Sequence, residues 1–129
     1  MGYKEMLPIK DDGSNQIKAW QYELTLTADS NSDWVFIPDD AQGITCTLSF
    51  DDGAGGIPTS GSATGKVQIS GDLREQVYDD ATNVIRPLDW PLGNITSQAT
   101  TMDYVRPVTA IRLVKTGGVG RAVLRLRAR

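Results

Sequence analysis

The 129-residue sequence contains no histidine and a single cysteine, Cys46. Without imidazole there is nothing from which to build a Ser–His or Cys–His nucleophile pair, a histidine general base or the usual zinc and iron sites. One thiol forms no internal disulfide, which suits a reducing compartment or assembly within one. No window approaches the roughly 18 apolar residues of a membrane-spanning helix, and the opening MGYKEMLPIK lacks an apolar signal-peptide core. Position 6 is Met, so the same stretch does not fit the myristoylation pattern. What survives these absences is carboxylate chemistry, calcium binding, or a role that needs no chemistry.

What is present reads as one domain large enough to bury a core unaided: 40% of residues are apolar and 22% charged. Charge is uneven. Residues 1–65 hold 3 Lys/Arg against 10 Asp/Glu, and residues 66–129 hold 10 against 6, for a net charge of −3. From Arg112 onward there are six basic residues and no acid. An acidic chain with a basic end is poorly suited to broad contact with phosphate, and well suited to meeting acidic protein surface or further copies of itself.

The dominant period is two. Trp20, Tyr22, Leu24 and Leu26 alternate with Gln21, Glu23, Thr25 and Thr27, as a half-buried strand requires. DWVFIP (33–38) is a short apolar run closed by Pro38. Ile44, Cys46, Leu48 and Phe50 alternate with Thr45, Thr47 and Ser49; Val67 and Ile69 lie opposite Lys66 and Gln68; Ile111 and Leu113 lie opposite Arg112 and Val114. The closing RAVLRLRAR alternates Ala122, Leu124, Leu126 and Ala128 with Arg121, Arg125, Arg127 and Arg129. The GGVG between the last two alternations reads as the turn of a hairpin. Residues 72–85 read as strand or irregular structure. Six or more short strands with Gly, Asp and Pro punctuation predict an antiparallel β-sandwich or barrel over residues 16–129, with residues 1–15 as an extended arm.

Two stretches interrupt the strands. DDGAGGIPTSGSATG (51–65) is a long Gly/Ser/Thr-rich loop, which either carries function or orders on a partner. In IRPLDWPLGNIT (85–96), Pro87 and Pro91 bracket Trp90, which either plugs one end of the sandwich or anchors an interface.

No catalytic, cofactor or metal residue is assigned. The paired aspartates at 11–12, 39–40, 51–52 and 79–80 lack calcium-loop spacing and are ordinary turn formers. GAGG and GGVG are each followed by strand pattern, whereas a phosphate loop leads into a helix. Asn94-Ile95-Thr96 matches a glycosylation acceptor without a secretory signal. Cys46 falls on the inward side of its strand as a small core residue. The basic end carries no Phe, Tyr or Trp, so it lacks the stacking platform of single-strand binders.

GAGGIPTSGSATG, RPLDWPLGNIT and VTAIRLVKTGGVGRAVLRLRAR, in an acidic His-free chain, together resemble the small all-β structural proteins of tailed-bacteriophage virions. In size and layout the chain is most similar to auxiliary capsid (cement or decoration) proteins. That resemblance implies a jelly-roll-like sandwich, homo-oligomeric and often trimeric, assembled in the host cytoplasm and bound to the capsid of the virion, with no enzyme activity, cofactor or membrane partner; nucleic acid is disfavoured by the acidic first half and the missing aromatics. A head–tail joining, tail or fibre component, or a carbohydrate-binding sandwich, are the alternatives. The candidate protein-interface residues are Trp90, Arg121, Arg125, Arg127 and Arg129.

Overall fold

The alternating stretches form strands. The computed structural model describes residues 3–10, 17–39, 41–51, 63–72, 77, 87–89, 100–104 and 109–129. These contain β1 (Tyr3–Glu5), β2 (Leu7–Lys10), β3 (Ile17–Leu26), β4 (Ser30–Asn31), β5 (Trp34–Phe36), β6 (Ile44–Asp51), β7 (Thr64–Ser70), β8 (Leu88–Asp89), β9 (Thr100–Tyr104), β10 (Ala110–Gly117) and β11 (Arg121–Ala128). A first sheet has the order β1-β5-β10-β7-β8, with β4 also beside β10; a second has the order β2-β3-β11-β6-β9. All pairings are antiparallel except β1 with β5.

The chain is all-β, and its connectivity is that of a jelly roll. From β3 onward it passes from the second sheet to the first (β4, β5), back (β6), across (β7, β8), back (β9), across (β10) and back again (β11). The strand orders 5-10-7-8 and 3-11-6-9 follow from this repeated crossing, and make two interlocked Greek keys. The alternation seen in the sequence supplies the two inner faces. Leu24, Cys46, Leu48, Phe50, Ala122, Leu124 and Leu126 from the second sheet meet Val35, Val67, Ile111 and Leu113 from the first in one buried cluster. Burying each of the larger side chains stabilises the fold by about 1.5–3 kcal/mol.

The crossing overturns the expected hairpin. β10 has β5 and β7 as partners and β11 has β3 and β6, so GGVG turns a corner between sheets instead of joining neighbours. Both strands already have a partner on each edge, which leaves no ladder free for them to share. The corner bends through two left-handed glycines, Gly118 (φ 82°) and Gly120 (φ 117°). A Cβ on Gly120 would lie 2.3 Å from the Asp51 carbonyl oxygen, so the residue must be glycine for space as well as for backbone angle. Lys115, 2% exposed, fastens the corner from beneath. Its ammonium donates to Asp29 Oδ1 (2.7 Å), Gly118 O (2.8 Å) and Gly117 O (3.3 Å).

Residues 3–10 of the expected arm do not project. β1 lies along the first sheet, β2 along the second, and Met6 between them is 6% exposed within the main core. A methionine flanked by two short edge strands buries its side chain only if the segment folds back. In residues 72–85, Val77 takes helical backbone instead of the expected strand or irregular path and is 2% exposed; apart from Asp72 the rest of that stretch lies outside the described residues.

Candidate functional site

The two outer faces of the sandwich differ, and the difference places the site. On the first sheet, Trp34, Phe36 and Ala110 join Val77 in a second buried cluster, so apolar surface of the chain itself covers the part of this face that β5 and the start of β10 form. The consecutive run Trp34-Val35-Phe36, all three buried, serves both faces of its strand at once. Beside it Arg112 lies over the Trp34 ring at 4.5 Å and donates to Gln68. Gln68 in turn donates to Asp89 Oδ1 at 2.9 Å, while Lys66 pairs with Asp89 Oδ2 at 3.1 Å. The Gln68 amide first, and then the Lys66 ammonium, hold the Asp89 carboxyl below its usual 3.8. This polar row ties β10, β7 and β8 together.

On the second sheet the outer face is polar and open. β11 is its central strand, and the alternation sends Ala122, Leu124, Leu126 and Ala128 inward and Arg125 and Arg127 outward. Register then fixes the neighbours. Arg121 pairs across to Asp51, Arg125 lies between Glu23 and Thr47, and Arg127 between Gln21 and Thr45. Arg121 and Asp51 form a bidentate pair (2.9 and 2.8 Å) in which Asp51 is 9% exposed, a geometry suited to planar guanidinium and carboxylate. It fastens the start of β11 to the end of β6. Arg125 donates to Glu23 at 2.7 Å, but both side chains are more than half exposed, so this pair contributes at most about 1 kcal/mol.

Arg127 and Arg129 are exposed, and neither has an acidic partner among the described residues. Arg129 is anchored by its backbone: its N–H donates to Gly43 O at 3.0 Å, and its carbonyl accepts from Gly43 at 3.1 Å and Gln42 at 2.6 Å. Around Arg125 and Arg127 an open groove of about 640 Å³ runs over the sheet, bordered by Leu7, Gln21, Glu23, Thr45 and Thr47. The acidic first half of the chain therefore answers Arg121 and Arg125, as its charge implied, and leaves the far end of the row positive.

Four of the five candidate residues fall on β11 or next to it, and three of them share the outer face of the second sheet. Trp90, and residues 52–62 of the glycine-rich loop, lie outside the described residues. Sequence reading missed the groove's other walls, Leu7, Gln21, Thr45 and Thr47, because only strand register shows that they flank the arginines. Lys115 was counted among the basic residues of the chain end, with nothing in its neighbours to mark it as buried.

No family model and no curated protein sequence matches the chain. Among solved structures it is similar to the SPBc2 prophage-derived protein YomS, at 10% identity and a TM-score of 0.47, over 90% of this chain and 98% of that one. It is also similar to a tenth of tripeptidyl peptidase 2, at 14% identity and a TM-score of 0.47 over 95% of this chain. The Bacillus endospore appendage protein that forms disulfide-linked pili resembles it at 13% identity and a TM-score of 0.36, over 93% of this chain and 96% of that one. Likenesses of this grade leave the function to be argued from the chain's own residues.

Proposed function

We propose that the chain is a non-enzymatic structural component of a tailed-phage virion, an auxiliary protein that binds the assembled capsid and stabilises it. The observation that carries this reading is the asymmetry of the two outer faces: the first carries the chain's own apolar cluster beside a polar row whose charges pair with one another, and the second is an open polar face with an arginine row at its centre that ends without an acidic partner among the described residues. Jelly rolls serve as capsid, lectin and cupin domains, so the fold alone does not choose among them. The surface favours protein contact: rigid central-strand arginines form specific, oriented pairs with carboxylates, and such pairs fix register between proteins. A cement protein needs no turnover. It needs a stiff frame and weak contacts repeated many times, because multivalency on a closed shell turns modest affinity into retention. The reading includes homo-oligomerisation, with a trimer favoured, and residence in the virion.

The test is co-sedimentation of the purified protein with assembled shells, together with its mass in solution. Association with the shell, and greater resistance of the decorated shell to heat or low salt, are expected. A protein that stays monomeric and never sediments with shells refutes the proposal. Retention on a glycan array would move the assignment to a carbohydrate-binding module.

A further inference from the structure

The unanswered end of the arginine row has a spacing that identifies its counterpart. Arg127 and Arg129 stand two residues apart on an extended segment, a separation of roughly 6.6–6.8 Å between their backbones. Arg127 has Gln21 and Thr45 as its immediate cross-strand neighbours, and neither is a carboxylate. The paired hydrogen bonds between Arg129 and Gly43 hold the base of the second side chain in place. An extended peptide with acids at alternate positions repeats at the same interval. We propose that the outer face of the second sheet binds an acidic extended segment of a partner protein, which lies in the groove at Arg127 and runs past its end to Arg129, so that carboxylates at positions i and i+2 pair with the two arginines.

This deepens the capsid-binding reading and rests on it for where the partner resides. The rest of the groove fits a peptide. Gln21 and Thr47 offer neutral donors and acceptors along its walls, as a peptide backbone requires. Glu23, already engaged with Arg125, repels a carboxylate at its own rung and so sets where the acidic run must stop. A nucleic-acid strand fits less well: Glu23 lies inside the groove, the chain carries a net charge of −3, and Tyr22, the aromatic residue in the lining, is half-buried and offers little surface for stacking.

The experiment titrates the full chain with three probes, hexaglutamate, hexaglutamine and an oligothymidylate of six nucleotides, followed by backbone amide shifts. Hexaglutamate is expected to shift amides of β3, β6 and β11 and to bind at least tenfold more tightly than hexaglutamine. Arg127→Gln should weaken hexaglutamate about tenfold, the value of one charge-assisted contact. Arg127→Lys, which keeps the charge and loses the fork, should recover only part of that loss. Lys66→Gln removes the same charge from the opposite sheet and should change binding less than twofold. The inference is overturned by equal binding of the two peptides, by an equal loss in the Lys66 variant, by tighter binding of the oligothymidylate, or by no shift at millimolar hexaglutamate. If shells bind the Arg127→Gln protein as they bind the wild type, the structural role stands and this inference fails.

Discussion

The corner between β10 and β11 depends on a buried ammonium, and replacing it gives a prediction with a magnitude. The Lys115 side chain is 1% exposed and holds two corner carbonyls and the Asp29 carboxylate. Lys115→Met keeps the length and apolar stem but removes all three donors. A buried acceptor left without a donor costs about 1–3 kcal/mol. Gly118 is exposed and Gly117 half-buried, so water reaches both and the loss falls at the lower end, about 2 kcal/mol in total. Asp29 is 58% exposed and rehydrates, which spares the larger penalty of an uncompensated buried charge. Asp29→Asn leaves an acceptor oxygen in place and should cost less than about 1 kcal/mol. At roughly 4 °C per kcal/mol for a chain of this size, the expected fall in Tm is about 8 °C for the first variant and under about 4 °C for the second. Urea unfolding with unchanged m-value checks the same ordering. Equal losses, or a Lys115→Met protein as stable as the wild type, would refute the view that the two carbonyls need this lysine.

Two further outcomes follow from the same geometry. Gly120→Ala combines a left-handed φ of 117° with a Cβ 2.3 Å from the Asp51 carbonyl, and thermal unfolding should show a loss of about 2–4 kcal/mol, relieved only if the corner moves. Asp89, whose folded pKa is depressed, contributes stability above its unfolded value of 3.8, and that contribution is lost as pH falls through the lower folded value. The Asp89→Asn protein should therefore be slightly less stable than wild type at neutral pH, by under about 1 kcal/mol because the side chain is 46% exposed. The gap should close in acid, and an NMR titration midpoint at or above 3.8 would contradict the assignment.

Much of this fold was legible because period two survives wherever one face of a strand meets the core and the other meets water. β3, β6, β7 and β11 were readable on that ground, as was the inward position of Cys46, which is 0% exposed. What failed was the partner assignment of β10 and β11. A glycine-rich turn between two alternating stretches reads the same whether the strands pair or cross to opposite sheets, since the choice is made by β3, β5, β6 and β7, distant in sequence. A hint was present in β10, where the apolar Leu113 and Val114 are adjacent and both prove buried, because a strand covered on both faces loses strict alternation. The run Trp34-Val35-Phe36 carried the same message, and its second face forms the separate cluster with Ala110 and Val77. The arginine row was visible in the sequence, but its charge balance was not. Which carboxylate meets which guanidinium follows from register: Asp51 meets Arg121, Glu23 meets Arg125, and Gln21 with Thr45 leaves Arg127 open.

The central claim is that the open face of the second sheet docks on the shell while the core beneath it folds independently of those charges. Arg125→Glu combined with Arg127→Glu tests both halves. Both side chains are exposed, so the double variant should unfold within a few degrees of the wild type while its co-sedimentation with assembled shells is lost. A variant that sediments with shells as the wild type does, or one that misfolds as a monomer, would contradict the account.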